Sequence, residues 1–457
     1  MASAKARVHF RSLGCPKNLL DTEVMLGTLA ASGYAIAEQL EDADVAVVNT
    51  CAFIESAREE SIQAILEVAD LRDAGSLRAL VVAGCLPQRY GGELAKELPE
   101  VDAFVGTSAF AGIAGILDEA LAGRGGVYVE PGHTHLYDHH SPRMRTGRPH
   151  TAYIKIAEGC DRVCAFCAIP GIRGRFQSRT AESLAAEASQ LVEGGVREIN
   201  LVAQDSTSWG KDLAAPEDGS GRPRLDTLLH ALDAVDGLDW IRLLYLYPSA
   251  VTDALIDTLA GARRVLPYVD VPLQHASDPM LQRMRRGTTV ARQRQLVERL
   301  RAGIPGVTLR TTYIVGFPGE TEADFEALLD FVRETRFDRV GVFRYSDEEG
   351  TAAFALPDKV ERSVARERYR RLTQVQREIM AETLAGQVGR EAQVLVDARI
   401  GGELSQGRLA SQAPEIDGIT YLKGDVQPGE LVAARITAVR DGVDLEAEAL
   451  ASARLGR

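Results

Sequence analysis

The chain has 457 residues, 45% hydrophobic and 26% charged, the composition of an ordinary globular protein with room, at roughly 150 residues each, for about three domains. Its net charge of -13 excludes broad, unspecific affinity for nucleic acid or anionic lipid, because Lys and Arg drive such binding by neutralising phosphates. Residues 1–14 lack the apolar stretch of a signal peptide, and no apolar run of about 18 or more residues occurs anywhere. A cytosolic protein with reduced thiols is therefore expected.

Strand-like stretches from Val8, Asp44 and Ala79 run directly into Cys15, Cys51 and Cys85, and a helix-period segment follows each. Strand–helix repetition of this kind predicts a parallel α/β sheet, whose ligands bind at the carboxyl ends of the strands. The three thiols are expected to converge on one rim. This first domain is expected over residues 1–123. A linker follows over 124–150, rich in Pro, Gly and His (His133, His135, His139, His140 and His150), and it reads as a solvated connection with no ligand role.

From Thr151 a strand–helix pattern repeats six times, with strands expected at Thr151 to Ala157, Glu198 to Ala203, Trp240 to Tyr247, Tyr268 to Leu273, Thr308 to Val315 and Arg339 to Tyr345. Helices between them, such as Ala181 to Glu193 and Glu322 to Glu334, carry apolar residues at three-to-four spacing. Six units predict a partial (β/α)6 barrel over 151–386, closed by a helix from Val364 to Ala385, with its chemistry at the strand carboxyl ends. Residues 387–457 change character. Short β-branched stretches at Ala392 to Val396, Gly418 to Leu422, Leu431 to Val439 and Val443 to Glu446 predict a small antiparallel β-barrel.

The first barrel strand leads into Cys160, Cys164 and Cys167, spaced C-x3-C-x2-C with Phe166 before the last. Three thiolates make a soft donor set that lacks a fourth ligand, which suits an iron–sulfur cluster with one open iron better than a closed zinc site. The spacing resembles the radical S-adenosylmethionine (SAM) superfamily. That resemblance implies a [4Fe-4S] cluster whose open iron chelates the amine and carboxylate of the methionine part of SAM.

With Cys15, Cys51 and Cys85 and the terminal barrel added, the whole chain resembles the methylthiotransferases, whose terminal barrel is called a TRAM domain. Asn49 to Glu55, Gly84 to Tyr90 and Ala413 to Gly418 resemble the branch of that family that acts on a ribosomal protein. The resemblance implies two [4Fe-4S] clusters, one on each cysteine trio, and two SAM molecules per turnover. A methylthio group would be added to the β-carbon of an aspartate in the small-subunit ribosomal protein S12. A low-potential electron donor and a sulfur donor would serve as partners, with no membrane. The alternative is a tRNA adenosine methylthiotransferase, and a more distant one is an iron–sulfur scaffold without chemistry of its own.

Other positions carry less. Gly316, in Gly-Phe-Pro-Gly-Glu after the fifth strand, resembles the superfamily's adenosine contact, where a missing side chain lets backbone approach the cofactor; an ordinary strand–helix turn is the competing reading. Gln204 and Asp205 stand at the end of the second strand, where the superfamily carries Gly-Gly-Glu, and Gln204 is a candidate for the SAM amine. Phe166 is expected beside the cofactor, His275 is read as structural, and Arg173 and Arg175 either steer a carboxylate or solvate a loop. From Gln387 onward eight Lys and Arg face eleven Asp and Glu, a net of -3. Such a surface complements a basic protein better than tRNA, so this domain is expected to present an aspartate of its partner at the barrel mouth, above Cys160, Cys164 and Cys167.

Overall fold

A computed structural model describes residues 4–450 except 74, 76, 131–134 and 216–220. His133 and the last seven residues of the terminal domain thus lie outside the described residues.

The first domain is a six-stranded parallel sheet in the order Ala35–Ile36, Arg7–Ser12, Val45–Thr50, Ala79–Gly84, Ala103–Val105 and Val127–Tyr128. Its central strands are buried on both faces, as their unbroken Val and Ala runs require. Cys15 is the N-cap of helix Pro16–Ala31, Cys51 directly follows Val45–Thr50, and Cys85 opens helix Cys85–Glu97. All three stand on the carboxyl rim, as expected.

The linker reading is corrected. Val127–Tyr128 forms the edge of the first sheet, and Tyr137 is buried. Arg143 ties Glu23 of the first helix (2.7 Å) to Glu187 of the barrel (2.6 Å). His150, 3% exposed, meets Asp397 at 3.0 Å. Residues read as solvated by their composition are held in place by charges distant in sequence.

The barrel strands are Thr151–Lys155, Glu198–Val202, Trp240–Leu243, Tyr268–Asp270, Thr308–Val315 and Arg339–Arg344, all parallel. Between the third and fourth the ladder is reduced to single bonds, such as Leu246 N–H to the Asp270 carbonyl at 2.9 Å. Outward side chains (Ile199, Leu201, Ile241, Leu243, Val269, Leu309) pack beneath the helices through Leu184, Leu228, Leu255, Leu296 and Leu328. The inward positions include four buried charges, Lys155, Glu198, Arg242 and Asp270, beside Tyr153, Asn200 and Tyr268. Helix Arg362–Ala385 closes the domain.

The terminal domain is a closed five-stranded barrel in the order Glu391–Gly401, Leu404–Leu409, Thr420–Lys423, Asp444–Ala449 and Leu431–Arg440. It is antiparallel except that Thr420–Lys423 runs parallel to Asp444–Ala449. Leu404–Leu409 is missing from the sequence reading because Ser405, Gln406, Gly407 and Arg408 give no β-branched signal. Arg408 is nonetheless 1% exposed, with both Asp397 (2.7 Å) and Glu198 (2.6 Å) as partners.

The expected position of this domain at the barrel mouth is also corrected. Its 410–418 loop meets the amino ends of the barrel strands: Asp417 accepts from the Tyr268 hydroxyl (2.7 Å) and lies 3.6 Å from Arg339, each the first residue of its strand, and the Ala410 carbonyl accepts from the inward Arg242 (2.8 Å). Ala413 is buried in one cluster with Tyr153, Tyr268 and Leu20. The terminal domain plugs the end opposite the cysteines. Buried Glu198 and Arg242 meet each other at 3.4 Å, and Arg408 (2.6 Å from Glu198) and the Ala410 carbonyl of this loop give them closer partners.

Candidate active site

Gly14 has φ +90°, and a Cβ there would lie 2.8 Å from Cys51 Cβ, so a glycine is needed for the first two cysteines to approach. Cys51 N–H donates to Ser61 Oγ at 3.1 Å, whose hydroxyl returns a bond to the Cys51 carbonyl. Arg173 Nη2 donates to Cys85 Sγ at 3.2 Å. Burial, with Cys85 adding to it, pushes the Cys51 thiol up to about 12; burial also raises Cys85 against the pull of Arg173.

In the second trio Arg286 Nη1 donates to Cys164 Sγ at 3.1 Å and Arg162 N–H to Cys160 Sγ at 3.4 Å. Tyr247 lies between the guanidinium groups of Arg162 (3.8 Å from its ring centre) and Arg286 (4.4 Å). Burial pushes Cys160 to about 11 and Cys167 to about 12. Such thiols keep their protons until a metal displaces them.

The chain itself joins the trios. Helix Ile169–Arg173 starts two residues after Cys167 and ends at the Arg173 that touches Cys85, a rise on the order of 9 Å over six residues. Ala168 and Ile172 are buried in the core of the first domain together with Cys85 and Leu86. Asp21, from the first helix, accepts from Lys155 (2.5 Å) and Arg173 (2.6 Å), and Lys155 also holds Glu158 (2.6 Å). Burial opposes the charge on Glu158, but Lys155 and Arg173 outweigh it and hold the carboxyl well below its ordinary range. On the far side, Arg89 of the first domain binds Glu348 (2.7 Å), in the turn after the last barrel strand. The two cysteine rims therefore face each other across a buried ionic seam.

Gln204 lies at this seam. Its Nε2 donates to Glu158 (2.5 Å), while its Oε1, like Gln274 Oε1, is buried without a hydrogen-bond partner among the described residues. Phe166 packs partly buried against Met280, Met284 and Phe317, and Gly316 begins the next turn. The reason given for Gly316 is corrected: a Cβ there would lie 2.6 Å from Ala365 Cβ, and its N–H is taken by Glu320, so helix Arg362–Ala385 fills the space kept clear. His275 is fully buried between Glu320 (3.1 Å) and Ala276 N–H (2.9 Å), a structural role as expected. Arg173 neither solvates a loop nor lies free; it is the bridge between the trios.

Among the described residues, no three His, Cys, Asp or Glu side chains stand as close as a single metal ion requires. Thiolates binding different irons of one cluster stand farther apart than that, so two all-thiol trios fit iron–sulfur clusters. The unpartnered Gln204 Oε1 fits the amine of SAM.

Comparison with known proteins agrees along the chain. Family profiles match residues 7–106 (Uncharacterized protein family UPF0004), 154–332 (Radical SAM superfamily) and 388–450 (TRAM domain). The fold resembles a radical SAM methyltransferase, TsrM from Kitasatospora setae, with a TM-score of 0.53 at 17% identity over 74% of each chain. Partial barrel, cysteine trio and profile together define a radical SAM enzyme. A relative from Geobacter sulfurreducens, "Ribosomal protein uS12 methylthiotransferase RimO", is 49% identical over 96% of this chain and 97% of its own length. The protein of the same name from Anaeromyxobacter sp. (strain K) is 50% identical over 94% and 91%. The chain belongs to the RimO family of methylthiotransferases, which use [4Fe-4S] clusters and SAM. No described helix is long and apolar enough to cross a membrane.

Proposed function

We propose that this chain adds a methylthio group to the β-carbon of an aspartate in ribosomal protein uS12, in the cytoplasm, with a low-potential electron donor and a sulfur donor as partners. The observation that carries the reading is the facing of two cysteine trios across the Arg173 seam. We assign Cys15, Cys51 and Cys85 to one cluster, and Cys160, Cys164 and Cys167 to the one that binds SAM. Domains are assigned at 1–123, 151–386 and 387–457, with 124–150 a packed connector.

When bound, the clusters and SAM supply a radical able to abstract hydrogen from an unactivated carbon and a methylated sulfur to replace it. The protein's own groups orient and enclose. Gln204, fixed by Glu158, offers Oε1 to the SAM amine, and Phe166 walls the cofactor side. Arg173 holds the helix after Cys167 against Cys85, so that hydrogen abstraction and sulfur delivery can address one carbon. Arg286 and Arg162 set positive charge beside Cys164 and Cys160, countering the negative charge of a thiolate-bound cluster.

The tRNA alternative is disfavoured by the terminal domain, acidic in sum and turned toward the far end of the barrel, and by near-full-length relatives named for uS12. Mass spectrometry of uS12 from cells lacking this gene, with and without the gene restored, tests the proposal. An aspartate that gains a methylthio group only on restoration is expected; identical uS12 in both would refute it.

A further inference from the structure

Lys17 stands two residues after Cys15, in the first turn of helix Pro16–Ala31, and is 9% exposed. Its Nζ lies 3.3 Å from the ring centre of Tyr245, just past the third barrel strand. Among the described residues it has no hydrogen-bond acceptor and no carboxylate within salt-bridge range, in contrast to its neighbours. Asp21 and Glu158 are matched by Lys155 and Arg173, two negative charges against two positive. The Lys17 stem is packed while its Nζ is not among the fully buried polar atoms, so the ammonium reaches the open rim with three donors to offer.

Tyr245 is held for this contact. It has φ +62°, a left-handed conformation rare for an aromatic residue, fixed by its N–H to Asp270 (3.1 Å) and its carbonyl to Ser206 N–H (3.0 Å). The ring supports the cation but cannot neutralise it; cation–π contacts serve packing as often as binding. What separates the two roles here is position. The ammonium sits where the first domain meets the barrel rim, beside Asn18, whose Oδ1 accepts from Arg173 Nη2 (2.8 Å).

We infer that Lys17 is the specificity residue that receives the side-chain carboxylate of the target aspartate, so that the enzyme selects aspartate over its amide. The inference rests on the uS12 reading. The amine and carboxylate of SAM are assigned to the iron on the barrel side, and Lys17, beside Cys15 on the facing rim with no carboxylate of its own chain within reach among the described residues, is placed for a carboxylate that the substrate brings.

The test measures binding of purified uS12, and of uS12 with the target aspartate changed to Asn, to the reconstituted holoenzyme. Wild type should prefer the aspartate form about tenfold or more, the range of a hydrogen bond to a charged group. Lys17→Met should bind both forms alike, at the level of the Asn form, and Lys17→Arg should restore the preference. Equal binding of the two forms by the wild type, or an undiminished preference in Lys17→Met, overturns the inference while leaving the function standing. A Lys17→Met enzyme that loses SAM affinity but keeps the preference would give the ammonium to the cofactor and equally overturn it. No binding of either form of uS12 would instead sink the functional reading beneath it.

Discussion

Buried thiols and one arginine decide what the two rims can hold. Because each trio is delivered by its own domain, the iron sites should be separable: reconstituted protein should carry about eight iron atoms per chain. The Cys160→Ala, Cys164→Ala, Cys167→Ala chain should keep about half of that. Loss of all iron in an iron assay of the folded variant would mean one shared site. Roles should separate likewise. A Cys51→Ala chain, reduced with SAM, should still yield 5'-deoxyadenosine but transfer no methylthio group, as chromatography of products would record; full transfer would remove the first domain from sulfur delivery. The cysteines were legible because each ends an apolar run. Arg173 was not, since its partners Cys85, Asp21 and Asn18 lie 88, 152 and 155 residues away.

At the scale of elements, hydrophobic period found the barrel strands and helices within a few residues, because outward apolar positions alternate with inward ones. It failed for Leu404–Leu409 and for the 410–418 loop, where paired charges and not apolar burial hold the chain. Those charges have a pH signature. Burial raises the Asp397 carboxyl, but hydrogen bonds from His150 and Arg408 outweigh it and leave the group at about 2, below an unfolded value of about 3.9. Its contribution, about 2 kcal/mol, is present above pH ~4 and lost as pH falls from there through ~2. Urea midpoints of wild type and Asp397→Asn should therefore differ at neutral pH and converge on acidification; a gap that stays constant would place the stabilisation elsewhere. The terminal domain is also less dispensable than a substrate-docking module. Deleting 387–457 takes Arg408 from Glu198, the Ala410 carbonyl from Arg242 and Asp417 from Tyr268, leaving Glu198 and Arg242 a 3.4 Å contact with each other, and removing one side of a buried pair costs about 3–5 kcal/mol. The truncated chain should be insoluble or melt far lower by circular dichroism, whereas an intact melt with SAM cleavage retained would contradict the plug.

Across the whole molecule, three folds converge so that each end of the barrel is closed by another domain: the cysteine rim by the first, the opposite end by the last. The order of domains and the chemistry of their metals could be read from spacing and period. Which end each domain occupies could not, because the deciding contacts join charged residues that composition assigns to solvent. That arrangement puts the seam between Cys85 and Cys167 where we propose that a substrate carbon meets both trios. Purified holoenzyme offered uS12 and unmodified tRNA together, with SAM, sulfide and a low-potential reductant, tests this most directly by mass spectrometry of both products. The account predicts a methylthio group on the uS12 aspartate and none on tRNA; a methylthio group on tRNA adenosine with uS12 unchanged would contradict it.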